Sequence, residues 1–204
     1  MIDARQSWAR AWRGIGAVDD GVAVRDALLA AYAEPHRKYH TLQHLHECLD
    51  LLAPATAAAA RPCEVEVALW FHDAIYDVRR SDNEERSADW ASAAVAAAGV
   101  AAAIVERIRS LVLATKHTGS PGSDDERLLV DIDLAILGAP AQRFAEYERQ
   151  IRAESSWVPQ PLFDEKRGAI LRSFLDRERI FATPLFHSRF EAAARVNLAR
   201  AVGG

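Results

Sequence analysis

The sequence predicts an all-α, single-domain protein built as a helical bundle of about eight to ten helices. Three observations carry that prediction. Apolar residues recur at helical spacings of three and four through most of the chain. No run alternates β-branched with polar residues, and no Asn-Gly or Asp-Gly hairpin stands between such runs. Alanine, the best helix former, is abundant. A length of 204 residues suits one domain with one core.

The elements follow in order. Trp8 and Trp12 are four apart, share one helix face, and read as core packing. A break at Pro35 precedes Leu45, Leu49 and Leu52, which form an apolar stripe after His44. The next break spans Pro54 to Pro62. ALWFHDAIYD, residues 68–77, then reads as a buried helix with Trp70 in the core, closed by a break at 77–81. Trp90 to Val105 is mostly alanine and is interrupted by Gly99. It falls short of the ~20 apolar residues of a membrane span and predicts two closely packed core helices. Ile104, Ile108, Leu111 and Val112 continue the periodicity to a break at 118–123. VDIDLAILG, residues 130–138, is another apolar helix, and breaks follow at Gly138–Pro140 and Pro159–Pro161. Ile170, Leu171, Phe174 and Leu175 mark one more helix, and the last break is at Pro184. No linker is long or polar enough to separate domains, and no repeat is visible.

The formal net charge of −4 gives no broad attraction to nucleic acid or to an anionic membrane. The two cysteines, Cys48 and Cys63, lack CxxC spacing and fit a reducing compartment. The N-terminal residues have no signal-type apolar core. The expectation is a cytoplasmic protein, a monomer or homodimer, whose partner is a small molecule.

Several polar residues do not fit a plain bundle. In RKYHTLQHLHE, residues 37–47, His40 and His44 are four apart and are expected to share a helix face. They read either as one core and one surface histidine or as metal ligands. His72 and Asp73 lie side by side in the most apolar stretch. A buried unpaired carboxylate costs several kcal/mol, so a side-chain partner or an ion must compensate. Asp131 and Asp133 repeat the oddity: one can cap or face water, and the other needs neutralising. Two histidines and two aspartates on three separate apolar segments suit one divalent ion, Mn, Fe, Mg, Co, Ni or Zn.

The order H…HD…D resembles the HD superfamily of metal-dependent phosphohydrolases. YHTLQH (39–44) is similar to the YHxxxH element of its cyclic-nucleotide phosphodiesterase branch, FHD (71–73) to the family doublet, NEERSA (83–88) to HExxSA, and DLAIL (133–137) to DLxxI. The small stand-alone predicted HD phosphohydrolases share RxYHxxxH, FHDxxYD, DNEExSA, ATKH and DxDLxILG. The likeness runs from about residue 37 to 138. It extends more loosely through IRAE to a tail of Phe190, Ala194, Arg195, Asn197 and Leu198. It implies an HD-type helical bundle with the metal-site core at about 37–138 and the C-terminal helices, 140–204, packing on it. It implies His44, His72, Asp73 and Asp133 as metal ligands, with Asp133 favoured over Asp131, and His40 as general acid. Asn83 stands where many two-metal members carry His, which favours one ion.

Glu84 has two readings. Ser81 to Glu84 forms an S-x-x-E capping box, or Glu84 orients the attacking water as a catalytic group. Asp77 reads as a turn residue or as an acceptor holding a ligand histidine. Arg37 offers a bidentate fork for charge on a phosphoryl group. Tyr39, Lys116, His117 and Arg152 are candidates for substrate binding. Lys116 and His117 also suit a helix C-terminus, and Arg152, Lys166 and Arg167 also suit a solvated face. The expected function is hydrolysis of a phosphate ester, with a nucleotide as one candidate, by metal-activated water with His40 as acid. The alternatives are an HD-type di-iron oxygenase and a non-catalytic, metal-containing nucleotide-binding module.

Overall fold

A computed structural model describes residues 3–119 and 121–203. Among these the chain is all-helical, with ten α-helices and no strand. They are α1 (Ala4–Gly14), α2 (Val22–Tyr32), α3 (Leu42–Ala55), α4 (Pro62–Phe71), α5 (Asn83–Ala97), α6 (Ala102–Ala114), α7 (Asp124–Asp133), α8 (Ala141–Glu154), α9 (Gln160–Leu175) and α10 (Pro184–Gly203). Two 3₁₀ segments, Thr56–Ala58 and Leu134–Gly138, follow α3 and α7. No described helix is long and apolar enough to cross a membrane. The chain divides into two compact units, Met1–Val130 and Asp131–Gly204, with the division inside α7.

In the first unit α4 is central. Every residue from Glu64 to Phe71 is buried, as a helix apolar on all sides requires. It packs against α1, α3, α5 and α6. Trp8 and Trp12 of α1 stack at 4.7 Å, and Trp8 meets Trp70 of α4 edge-on at 5.2 Å. The two polar residues of α4 have partners. Glu64 accepts two hydrogen bonds from Arg107 at 2.8 and 2.7 Å, and Glu66 accepts from Ser7 and Arg10.

Local chemistry sets the helix ends. Asp3 caps α1 by accepting from the Arg5 and Gln6 N–H groups. Thr41 caps α3 by accepting from Gln43 N. Pro62 takes the first position of α4, where its missing N–H costs nothing. Gly99, at φ +76°, stops α5, so α6 can fold back and bury Val105, Ile108 and Val112 beside Ala88, Ala91 and Val95. This is the packed helix pair expected from residues 90–105.

Three expected helical stretches are shorter than the periodicity implied. Thr41 has extended backbone, so α3 begins after it and His40 lies on the preceding turn, not on a shared face with His44. α4 ends at Phe71, which places His72 and Asp73 in the following turn. α7 ends at Asp133 and tightens into a 3₁₀ segment before Pro140. Pro54 lies inside the last turn of α3. In the expected break at 118–123, position 120 lies outside the described residues, as do Met1 and Ile2 of the N-terminal stretch.

In the second unit α10 packs on α9 and on the 134–138 segment. Asn197 donates from its amide to the carbonyls of Leu137 and Ala139, 2.9 Å each. The buried Asp131 carboxylate accepts from Ala182 N, Thr183 N and Thr183 Oγ1 at 2.8, 2.7 and 2.6 Å. Glu191 accepts from Ile180 N and Phe181 N and pairs with Arg195. These two carboxylates hold the entry to α10.

Candidate metal centre

The chain places His44 in the first turn of α3, on the side that also buries Leu45, Cys48, Leu49 and Leu52. His72 follows the last residue of α4. Its Nδ1 lies 2.7 Å from the Leu69 carbonyl, and a carbonyl oxygen only accepts, so Nδ1 carries the proton. In the neutral ring Nε2 is then a bare lone pair. That lone pair lies 3.0 Å from His44 Nε2 and 3.0 Å from Asp73 Oδ2, and His44 Nε2 lies 3.4 Å from the same oxygen. Two imidazole nitrogens and a carboxylate oxygen therefore converge in a buried place, an arrangement that a shared cation, whether proton or metal, satisfies.

The separations suit a metal ion as well as a shared proton. Ligands about 2.0–2.1 Å from one ion and about 90–110° apart lie about 2.9–3.4 Å from one another. The three observed separations, 3.0, 3.0 and 3.4 Å, fall in that range. Two imidazoles and a carboxylate suit divalent ions from Mg²⁺ to Zn²⁺. The residues present fit a metal ion.

Electrostatics agree. Burial pushes the Asp73 carboxyl up, but the neighbouring imidazoles of His72, His40 and His44 hold it well below the usual carboxylate range. The Tyr32 phenol beneath it is pushed up to about 12, chiefly by burial. Its oxygen accepts from Asp73 N at 3.3 Å, so it acts as a neutral support.

Cys48, one helical turn after His44, is a residue the sequence reading passed over as a ligand. His44, Cys48 and His72 offer buried ligand atoms within 4.8 Å of one another. The spacing His44…Cys48 was the available signal. The sulfur, however, is 3.8 Å from both Nδ1 and Nε2 of His44. Equal distances put it off the Nε2 lone-pair axis and against the ring, so in this arrangement it supports the imidazole instead of sharing its ion.

Two aromatic neighbours frame the site. The His40 ring stacks on Tyr76 at 4.0 Å and stands 6.2 Å from the His44 ring. Buried Tyr39 leans on both histidines, at 4.9 and 4.7 Å. Its place is a wall of the site.

Arg37 is a correction. Its side chain is fully buried and points into the turn, not toward a substrate. Nε donates to Glu34, Nη1 to the carbonyls of His40 and Asp73 at 3.2 and 2.6 Å, and Nη2 to Ala74 O at 2.9 Å. The Tyr32 and Tyr76 rings lie 5.4 and 5.6 Å from its guanidinium carbon. Arg37 therefore ties the peptide of His40 to that of Asp73 and has no fork left for a phosphoryl group.

The NEERSA stretch pins the same turn. Ser87 Oγ accepts from Ile75 N at 3.0 Å, and Asn83 exchanges two hydrogen bonds of 3.0 Å with the Asp77 backbone. Asp77 Oδ1 accepts from Arg79 N, as a turn residue does. Glu84 makes no bond to Ser81, and the α5 N-cap, Asp82, makes no side-chain capping bond, so the capping box does not form. Glu84 is half-buried, and its carboxyl is raised by burial and by the nearby Asp73 charge.

Lys116, at the end of α6, pairs with Glu85. His117 follows in the left-handed region, φ 55°, half-buried. Arg152 is a second correction: it belongs to the second unit, where it donates to Gln160, Ser155 O and Val158 O and lies over Phe163. These bonds seal the α8–α9 turn and occupy the guanidinium. Arg167 pairs with Glu148 over Tyr147. Asp133 is the half-buried last residue of α7. Asp131 has its carboxylate filled by the entry to α10, which removes it as a ligand.

No family model matches the chain, and neither a curated protein nor a solved structure matches it.

Proposed function

We propose that the chain is a metal-dependent phosphohydrolase that cleaves a phosphate ester. The observation that carries the reading is the convergence of His44 Nε2, His72 Nε2 and Asp73 Oδ2 at 3.0–3.4 Å, with the His72 tautomer fixed by Leu69 O. Asp133 is the fourth proposed ligand, since Asp131 is committed elsewhere. A divalent ion held there supplies Lewis-acid activation of water and of a phosphoryl oxygen.

The chain's own residues do the rest. His40, half-buried and seated on Tyr76, donates its Nε2 or Nδ1 proton to the leaving oxygen. Tyr39 holds the two histidine rings apart. Arg37 keeps the backbone of the acid in register with the backbone of the ligand. Glu84 is the proposed group that orients water, its raised carboxyl suited to exchanging a proton. Lys116 and His117 remain proposed substrate contacts. The di-iron alternative needs a further ligand near position 83, and the Asn83 amide is engaged by Asp77.

The test pairs elemental analysis with a phosphate-ester screen in Mn²⁺, Zn²⁺ and Mg²⁺. His72→Ala should lose bound metal and turnover together. His40→Ala should keep its metal and lose about 10²–10⁴ in turnover. Metal loss in His40→Ala would make it a ligand, and a metal-loaded parent inert to every ester would leave a binding module.

A further inference from the structure

Away from the metal centre, a pocket of about 380 Å³ opens between α1, α3 and α4. Leu49, Leu52 and Pro62 give it apolar walls, and Arg10, Thr56 and the exposed Ala53 also line it. α4 contributes two further groups, Cys63 and Glu66. Its size is at the low end for small-molecule sites.

Glu66 is the informative residue. Only 4% of it is exposed. Its Oε1 accepts from Ser7 Oγ and Arg10 Nη2 at 2.5 Å each. Among the described residues no donor reaches Oε2. A buried carboxylate that lines a pocket with one oxygen lacking a protein donor is a costly arrangement that a ligand donor relieves. Arg10 pairs with Oε1 alone, and its side chain is 59% exposed, so the second oxygen keeps its capacity to accept. The Cys63 thiol reports the same sign: burial raises it, and the Glu66 charge raises it further against the pull of Arg10.

We propose that this pocket is a binding site for an organic ammonium cation with a short apolar tail. The ammonium donates to Glu66 Oε2, and the tail lies against Leu49, Leu52 and Pro62. The inference does not rest on the metal centre or on hydrolysis. The pocket separates the far ends of the helices that carry or precede His44 and His72.

Cys63 supplies the reporter, since it lines the pocket and is half-exposed, whereas Cys48 is buried. The full chain is treated with dithiodipyridine, and the rate of Cys63 modification is followed with added benzylammonium chloride. Bound ligand should slow the reaction at least tenfold, with a half-effect at about 1 mM. Benzyl alcohol, alike in shape and uncharged, should need at least a tenfold higher concentration, because hydrogen bonds to a charged partner are the stronger ones. Ala53→Phe enlarges an exposed residue that lines the pocket and should abolish protection by the amine. Equal protection by alcohol and amine would overturn the proposal. So would no protection by the amine up to about 50 mM, or full protection in Ala53→Phe.

Discussion

Replacing Arg37 by methionine tests the logic of the site most directly. The methionine keeps an apolar stem of similar length and removes the guanidinium. That strands the carbonyls of His40, Asp73 and Ala74 and leaves Glu34 to water. Each buried acceptor left unmade costs ~1–3 kcal/mol, while Glu34, 45% exposed, regains water and adds little. The three acceptor costs overlap, so the expected loss is about 3–5 kcal/mol. That is a large share of the ~5–15 kcal/mol stability of a typical domain. Arg37→Lys should lie between, because one ammonium cannot reach three carbonyls and a carboxylate in two directions. Urea unfolding at fixed temperature measures the shift in midpoint, with an unchanged slope showing that the native fold is kept. Metal titration of the same variants should show affinity down at least tenfold, since Arg37 fixes the turn that carries His72 and Asp73. If Arg37→Met stayed within about 1 kcal/mol of the parent, kept its metal, and lost only turnover, the positioning role would be refuted and a substrate-binding arginine restored.

Two further predictions concern the second unit. Asp131→Ala should cost about 2–4 kcal/mol, because it frees two backbone N–H groups and a hydroxyl at the entry to α10, while Asp131→Asn should cost less; unchanged thermal melting of Asp131→Ala would show that water replaces the carboxylate. Burial raises the Glu191 carboxyl, yet bonds from Phe181 N, Ile180 N and Arg195 bring it below its ordinary value. Its folded pKa is thus depressed, so its stabilisation is present above the unfolded value near ~4.3 and is lost as pH falls through the folded one. Glu191→Gln should flatten that acid limb in melts from pH 6 to about pH 2; an identical slope in both proteins would assign the limb to other carboxylates.

Much of the site was legible in the residues. His72 and Asp73 in an apolar stretch signalled a compensated charge, and the pairing with His44 supplied the compensation. Ser81-x-x-Glu84 misled, because a capping box needs the Ser81 backbone at the helix start, and α5 begins at Asn83 instead. Arg37 misled for a different reason. A guanidinium reads alike in sequence whether it faces a phosphate or protein acceptors, and only the meeting of the His40 and Asp73 turns engages it with three backbone carbonyls.

Periodicity, proline and capping act within a few residues, so the all-α class, the apolar faces and the places where helices break are readable along the chain. The same reading picked out His44, His72 and Asp73, whose polar atoms lie 3.0–3.4 Å apart. That Asp131 caps α10, that Arg152 seals its own turn, and that Glu66 lines a pocket emerge from packing. Those outcomes depend on which distant backbone groups reach each side chain, and hydrogen-bond satisfaction at that range is fixed by packing, not by neighbours along the chain.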